Sequence, residues 1–410
     1  MMETKEHNKQ WHLVRNNNGE WISDDYAEFL TPLEVGILQV KAAQQGIQLD
    51  VQHGADGQLW CYKHQLEAIK IEPINKTVMK RELRIKKRIK DMNKEQICET
   101  LSARIENENL KLPKQIDFGI SDSVLYLKIE GSAVRDNMQT DGSAFEGWSI
   151  CIKSYFPEIK NVEINWDLPL YSANTQVRQR QEKHYNRFLL RVLFFSRHYN
   201  WFNIHKSKKD TIRLFSEYHS NLLINYPTNK GAEEVSGKGK INKGEAKLER
   251  LVMDKLRKSV SVTDHQLPVG LFDGEVKSKR ACTPRGASQI DLWQIDKDVL
   301  RIFELKDETN NKVGIISELM FYANVMNEVN KGRIKYPQSI ETATDYRHIQ
   351  ALYRSVKEEI INRIEAVFLV YTLHPLIEYN LDIILDIIND GMAADAISFK
   401  KILVTDIISI

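Results

Sequence analysis

Cysteine is scarce in this sequence, and its four cysteines lie far apart. No two of them have the short spacing that a cysteine-based zinc site would use, so such a site is excluded. A long chain with so little cysteine is typical of a reducing compartment, where thiols stay unpaired. We therefore expect free thiols rather than a disulfide framework. The cysteines are Cys61, Cys98, Cys151 and Cys282.

An excess of charge of one sign is also lacking. Lys and Arg total 58 and Asp and Glu total 56, so the net charge is +2 and any nucleic-acid surface must be local. No stretch approaches the ~20 apolar residues of a membrane span, and the first residues do not form a signal peptide. These absences favour a cytoplasmic protein with no membrane partner. Hydrophobic residues make up 42% of the chain, which excludes a disordered protein.

One glycine- and lysine-rich segment, residues 227–243, divides the sequence. Its composition cannot bury enough apolar surface to offset the entropy of ordering, so we predict a linker or an exposed loop. A chain of 410 residues suits two to three domains. We predict an N-terminal region of residues 1–226 and a C-terminal domain of residues 244–410. No internal repeat of solenoid period is visible.

The N-terminal region is predicted to be an α+β region of unknown type. Apolar and β-branched runs predict strands at 124–129 and 162–166. Helical periodicity predicts helices near 32–46, 78–90 and 176–196. Two dipeptides predict turns, Asp141-Gly142 and Glu146-Gly147. No catalytic constellation is visible here, so we assign the region a role in recognition or regulation.

The C-terminal domain alternates predicted helices and strands. Amphipathic periodicity predicts helices at 245–258, 313–329 and 381–388. Short β-branched runs predict strands at 269–272, 290–295, 299–305, 366–373 and 402–406. The fourth strand is apolar throughout, as in a strand buried on both faces. The order α-β-β-β-α-β, followed by α-β, predicts a mixed sheet flanked by helices, which is an α/β or α+β layer.

Two acidic residues and a lysine meet on the predicted hairpin formed by the second and third of these strands. Side chains alternate along a strand, so Glu304 and Lys306 share one face while Phe303 and Leu305 point into a core. Asp291 begins the partner strand, within reach across the hairpin. Mg²⁺ takes oxygen ligands, usually with one or two carboxylates. Asp291 and Glu304 would supply them, with the Leu305 carbonyl as a further ligand.

Such a group suits metal-dependent hydrolysis of phosphodiester bonds. A lysine beside the metal can position or deprotonate the attacking water and stabilise negative charge. Mg²⁺ or Mn²⁺ would lower the pKa of that water and polarise the phosphate. A Glu-x-Lys pair alone is also common as a surface salt bridge. The prediction therefore depends on the combination of Asp291, the hairpin and the order of the elements.

This combination resembles the PD-(D/E)xK nuclease superfamily, which has the restriction-endonuclease-like fold. The resemblance covers roughly residues 243–410. It implies an αβββαβ core with a mixed sheet and catalytic roles for Asp291, Glu304 and Lys306. Glu249, on the leading helix, matches an acidic residue that many members carry there, although the helix dipole also favours Glu near a helix start.

The helix after the motif carries Glu318 and Tyr322, one turn apart on one face. Some branches of the superfamily have Gln and Tyr at these positions, beside the active site. The resemblance thus implies a supporting role for both residues around the site, while Tyr322 is equally typical of a half-buried aromatic. The sequence departs from the pattern at Glu318 and at Ile290, which stands where the family name has proline.

Three basic stretches are candidates for contact with nucleic-acid phosphates. Residues 76–90 hold eight basic residues and one glutamate, which could equally form a solvated face. Residues 178–209 mix basic and aromatic side chains, although their apolar residues are more simply the core of a helix. The third stretch lies closest to the proposed metal site, and its basic residues are Lys277, Lys279, Arg280 and Arg285.

Together these features predict a Mg²⁺-dependent (or Mn²⁺-dependent) endonuclease of restriction, defence or repair type. The resemblance favours DNA over RNA as its substrate. One alternative is a module that binds nucleic acid or protein on an inactive nuclease fold. Another is a ligand-regulated effector nuclease that acts on RNA or DNA. No glycine-rich nucleotide loop is present, so an NTP-driven motor is not expected. The oligomeric state is open, and cutting of both strands would favour a homodimer.

Overall fold

The computed structural model describes residues 91–409 except 229–243, 285–287 and 309–311, and in the first 90 residues six strands and residues 42, 46 and 47. The predicted linker at 227–243, the basic run at 76–90 and the helices near 32–46 and 78–90 therefore lie almost entirely outside the described residues. Within the described part of the chain, no helix is both long and apolar enough to cross a membrane. Cys98, Cys151 and Cys282 are free thiols, as expected.

The chain forms two compact units, Met1–Arg88 and Ile89–Ile410. In the described part of the first unit, the strands form two antiparallel sheets of three strands each. One sheet has the order β1 (Thr4–His7), β2 (Trp11–Arg15), β3 (Trp21–Ser23), and the other has the order β4 (Tyr26–Leu30), β6 (Leu59–Tyr62), β5 (Val51–His53).

The units differ from the division predicted at residues 227–243. The physical reason is that residues from 97 to 224 and from 267 to 399 contribute to one hydrophobic core. The second half of the predicted N-terminal region therefore belongs to the same compact unit as the predicted nuclease domain.

The second unit alternates strands and helices. Its strands are β7 (Asp91–Met92), β8 (Ile116–Ser121), β9 (Val124–Ile129), β10 (Asn161–Trp166), β11 (Phe202–Ile204), β12 (Leu222–Ile224), β13 (Thr263–Pro268), β14 (Leu271–Asp273), β15 (Gln289–Asp296), β16 (Val299–Lys306), β17 (Arg363–Val370) and β18 (Ile397–Leu403). Its helices are α1 (Lys94–Arg104), α2 (Phe145–Tyr155), α3 (Thr175–His198), α4 (Lys209–Tyr218), α5 (Gly244–Leu256), α6 (Gly314–Asn330), α7 (Ile349–Lys357), α8 (Pro375–Glu378), α9 (Leu381–Met392) and α10 (Val404–Ile408).

Two five-stranded mixed sheets organise this unit, with the orders β11-β10-β9-β8-β7 and β13-β15-β16-β17-β18. Taken in chain order, the pairings of each sheet are first two antiparallel ones and then two parallel ones. Each contains a tight hairpin whose second strand leads through a helix into a parallel strand. The predicted α/β class with a mixed sheet is thus confirmed. The likeness of the two sheets is an internal structural repeat that the sequence did not reveal.

Turn chemistry fixes both hairpins. Asp122 and Ser123 join β8 to β9, and both have positive φ, as a two-residue type I′ turn requires. Lys297, with φ +58°, lies in the corresponding turn between β15 and β16. The turn of the predicted hairpin therefore lies at residues 297–298, closed by the pair Asp296↔Val299.

Helix α6 lies between the two sheets. It packs against β16 and β17 on one side and against α2 and α3 on the other. All residues from Gly314 to Val329 are consequently buried, which explains why this helix is apolar almost all round. The opposite face of the second sheet is covered by α5 and α10, whose Val252 and Val404 belong to a second, smaller cluster with Phe303 and Leu305.

Three local predictions are wrong. Glu146-Gly147 is not a turn but lies inside α2, where the glycine leaves room for the Val313 carbonyl just before α6. The strand predicted at 402–406 is β18 followed by α10, because its partner β17 ends at Val370, opposite Leu403. The strand predicted at 269–272 corresponds to β14, which pairs with β12 outside the main sheet, and the true first strand is the polar β13.

Candidate active site

Asp291 lies where the second sheet opens on both sides of β15. Pairing with β16 ends at Leu292↔Phe303, although both strands continue beyond that pair. On the other side, the pairing of β15 with β13 is interrupted at Gln266, which lies opposite Asp291. Gln266 has a positive φ of +48°. The Asp291 carboxylate takes the place of the missing ladder bond, because its Oδ2 accepts a hydrogen bond from the Leu305 N–H at 2.8 Å. Asp291 is thereby held beside the Glu304–Lys306 backbone.

Glu304 and Lys306 lie together on the face of β16 that meets α6. The Lys306 ammonium donates to Glu304 and lies 3.2 Å from Glu318 Oε2. Glu304 is 1% exposed and Lys306 7% exposed, so this is a buried cluster rather than a surface salt bridge. Phe303 and Leu305 point the other way, into the second cluster, which confirms the predicted alternation.

Helix α6 contributes Glu318 and Tyr322. The Tyr322 hydroxyl donates to Glu318 Oε1 at 2.9 Å, as expected for residues one helical turn apart. Glu318 was predicted only to support the site, yet its contact with Lys306 places it within the cluster itself. Tyr322 is fully buried rather than half-buried.

Glu249 is held by a different partner. From α5, its Oε1 lies 2.6 Å from His265 Nδ1 on β13. Glu249 is buried, and its negative charge helps to raise the pKa of Asp291, so it lies close to the cluster. The histidine that holds Glu249 was not predicted from the sequence.

The cluster holds more carboxyl groups than one lysine can balance. Burial is the main cause that raises the pKa of Asp291 to about 7, and Glu318 adds to it while Lys306 opposes it. Burial, together with the charges of Asp291 and Glu318, raises the pKa of Glu304 well above its usual value. Glu304 Oε2 is buried and accepts no hydrogen bond within the described part of the structure. Crowded carboxylate oxygens of this kind suit a hard divalent cation.

The pKa values of Glu318 and Lys306 are shifted in opposite directions. Burial tends to raise the pKa of Glu318, but Lys306 and hydrogen bonds from neighbouring side chains lower it below its usual value. Burial tends to lower the pKa of Lys306, but Glu304, Glu318 and Asp291 together raise it well above its usual value. Lys306 is therefore a firmly protonated ammonium in this cluster.

The residues that could hold a metal are Asp291 and Glu304. Across residues 91–409, apart from the three gaps, no group of three or more His, Cys, Asp or Glu side chains is arranged as a metal site. The Lys306 ammonium contacts both Glu304 and Glu318.

The basic residues predicted before the hairpin lie on the exposed segment around the turn at 278–280. Lys277 pairs with Glu275, and Arg280 lies 3.8 Å from Asp273. Arg285 falls outside the described residues. In the 178–209 stretch, the side chains of α3 that were weighed as helix core are buried. They are Phe188, Leu189, Val192 and Phe195.

Sequence reasoning missed Gln139, which lies between β9 and α2 and donates through Nε2 to Glu318 Oε1. Arg187 of α3 belongs to the basic stretch at 178–209 that was predicted as a candidate for phosphate contact, but it is buried and donates to the hydroxyl of Ser288, three residues before Asp291. No local pattern marks Gln139 as a neighbour of Glu318, because it precedes Glu318 by 179 positions.

The chain has no significant match among protein-family models, curated proteins or solved structures.

Proposed function

We propose that this protein is a metal-dependent nuclease of the PD-(D/E)xK type, with DNA as its substrate. The observation that carries the proposal is the convergence of Asp291, Glu304, Lys306 and Glu318 in one buried cluster at the open end of a hairpin. Buried carboxylates without matching counter-charge are unfavourable unless a proton or a cation neutralises them. We also propose that the protein acts in the cytoplasm, and a homodimer is one option for its oligomeric state.

In the proposed reaction, Asp291 and Glu304 hold the metal, and the Leu305 carbonyl is a further protein ligand. When bound, Mg²⁺ or Mn²⁺ supplies Lewis acidity, which lowers the pKa of a water and polarises the phosphate. The Lys306 ammonium orients the attacking water and stabilises the charge that develops on the phosphate. Glu318 holds Lys306 from its other side. Because Glu304 and Lys306 are buried, these electrostatic interactions are stronger than they would be in water.

The test is a cleavage assay with Lys306→Ala. Plasmid DNA, linear single-stranded DNA and RNA are incubated with the full chain in Mg²⁺, Mn²⁺ or EDTA. We expect metal-dependent cleavage of DNA that Lys306→Ala reduces by at least ~100-fold, since a charge aimed at the transition state is lost. Lys297→Ala, in the turn of the same hairpin, is the matched control and should cut normally. Cleavage that survives Lys306→Ala would refute the assigned site.

A second candidate is a nucleic-acid-binding module without cleavage. It is favoured by the position of Lys306, whose ammonium contacts Glu304, one of the two carboxylates assigned to the metal. Here we expect no cleavage of any substrate in the same assay, while a gel shift shows binding. Cleavage by the wild type would exclude this candidate.

A further inference from the structure

A chain of hydrogen bonds runs from a buried arginine of α3 to the candidate site. Arg187 Nη2 donates to Asn137 Oδ1 at 3.0 Å. Asn137 Nδ2 donates to Gln139 Oε1 at 3.1 Å, and Gln139 Nε2 donates to Glu318 Oε1. Each amide accepts from the side of the guanidinium and donates toward the carboxylate. The chain therefore has one polarity, in which each bond strengthens the next.

This chain explains how Arg187 can be buried. Its side chain is 1% exposed, and among the described residues no carboxylate lies within ion-pair distance of it. Its other partners are the Ser288 hydroxyl at 2.9 Å and His184 Nδ1 at 3.0 Å. A buried charge without a counter-charge is unfavourable. Glu318 is the counter-charge here, connected to the guanidinium through two side-chain amides.

The backbone around Gln139 fits tightly against α6. A Cβ added at Gly314, the first residue of α6, would collide with the Gln139 carbonyl oxygen. A Cβ added at Gly147 of α2 would meet the Val313 carbonyl oxygen at 2.7 Å. The loop with Gln139 is therefore fixed against the start of the helix that carries Glu318, one turn further on.

We propose that Gln139 is a positioning residue for Glu318, oriented by Asn137 and Arg187. The inference rests on the proposed function and deepens it. Glu318 contacts the Lys306 ammonium, so the orientation of Glu318 sets where that ammonium lies relative to Glu304 and Asp291. The part of the second unit that contains the sheet of β7 to β11 thus completes the active site, because its Gln139 orients the Glu318 carboxylate.

The experiment is a double-mutant cycle between Gln139 and Glu318 in the full chain. Gln139→Met keeps the length of the side chain and removes both hydrogen bonds. It is combined with Glu318→Gln, and kcat and KM are measured on the DNA that the wild type cuts. Gln350→Met is the matched control, because that glutamine donates instead to the carbonyls of Ile340 and Ala343. Melting temperatures are measured for all variants.

We expect Gln139→Met to lower kcat by about 10- to 100-fold, the usual effect of losing a residue that orients a ligand, with KM for DNA within about 2-fold. In the Glu318→Gln background the same change should lower kcat by less than about 2-fold, because residues that act through one another are not additive. Asn137→Leu should behave as Gln139→Met does. Gln350→Met should leave kcat unchanged.

Equal losses of kcat from Gln139→Met in the two backgrounds would overturn the inference, because Gln139 would then act independently of Glu318. If the wild type cuts nothing, the proposed function fails, and the melting temperatures decide the remaining question. Non-additive losses of melting temperature would still support the positioning of Glu318 by Gln139. Additive losses would overturn it.

Discussion

Asp291 gives the candidate site a pH dependence that can be measured without any substrate. Burial raises its pKa from 3.8 to about 7. The folded protein therefore binds this proton more tightly than the unfolded chain does. The resulting contribution to stability is complete below pH 3.8, the unfolded pKa, and is lost as the pH rises through about 7.

We therefore expect metal-free wild type to lose stability relative to Asp291→Asn between pH 4.5 and 7.5. The loss is at most ~1.4 kcal/mol per pH unit. Urea unfolding in EDTA at several pH values measures the difference, in which other titrating groups largely cancel. Parallel stability curves for the two proteins would contradict the assigned environment of Asp291.

Added Mg²⁺ provides the companion measurement. Metal ligation requires a deprotonated carboxylate, so metal binding competes with the proton. We expect Mg²⁺ to raise the melting temperature of the wild type more at pH 8 than at pH 5, and to have less effect on Asp291→Asn. Equal increases at both pH values would argue against a metal held by Asp291.

At the scale of single residues, the sequence predicted which side chains lie together where they belong to one hairpin. Asp291, Glu304 and Lys306 lie on one hairpin, so the alternation of side chains was enough to group them. Gln139 and Arg187 reach the cluster only through the packing of α3 and a loop against α6. Their spacing along the chain has no period that a single sequence could reveal. His265 was missed because the strand that carries it, β13, is mostly polar.

Two glycines lie in tight contacts around the start of α6: Gly147 of α2 faces the Val313 carbonyl, and Gly314 faces the Gln139 carbonyl. Gly147→Ala and Gly314→Ala each place a Cβ against the backbone of a neighbouring element. Because backbone cannot move aside as a flexible side chain can, we expect each change to lower the free energy of unfolding by about 1–3 kcal/mol. Both should also reduce cleavage, since α6 carries Glu318. Urea unfolding and the plasmid assay measure the two effects.

Gly119→Ala on β8 is the control for these variants. Its added Cβ would meet nothing closer than the Met92 carbonyl oxygen at 3.7 Å, an ordinary contact. We expect a change in unfolding free energy within about 0.5 kcal/mol. A loss as large as that of Gly147→Ala would mean that the tight contacts around the start of α6 are not the cause.

At the scale of elements, helices and strands with a strong apolar pattern were predicted correctly. Elements whose bounds depend on a neighbouring strand were not. The hairpin of β15 and β16, the buried β17 and helix α6 were all found from their apolar patterns. The end of β18 was missed because it depends on where the neighbouring strand stops. The residues of β13 have low β-propensity, so only its pairing with β15 makes it a strand.

The structural repeat was invisible because the two hairpins differ at the chemically important positions. When they are aligned on their closing pairs, Ser121↔Val124 and Asp296↔Val299, Ile116 corresponds to Asp291 and Ile129 to Glu304. Ile116 and Ile129 pair with each other and are fully buried, so the first hairpin remains closed where the second opens. Topology is shared while the site residues are not.

At the scale of the whole molecule, the second unit should fold without the first and should not be divisible at residues 227–243. Met320 and Phe321 of α6 pack beside Phe194 and Phe195 of α3. A fragment of residues 244–410 would expose Met320 and Phe321, and each exposed side chain would lower the free energy of unfolding by about 1.5–3 kcal/mol.

We expect residues 89–410 to be folded and active, and residues 244–410 to be aggregated or only partly folded. Circular dichroism, size-exclusion chromatography and the cleavage assay test both fragments. A well-folded, active 244–410 fragment would show that the sheet of β7 to β11 is dispensable for the site.

The repeat also predicts how many strands one chain cuts, if the proposed function holds. Two similar sheets carry one cluster, because the first hairpin has isoleucines where the second has Asp291 and Glu304. A single chain should therefore cut one strand per binding event. On supercoiled plasmid we expect nicked circles to accumulate before linear DNA, with a ratio independent of protein concentration. Linear product without a nicked intermediate would indicate that two chains act together, and mixing wild type with Lys306→Ala would then convert linear product into nicked circles.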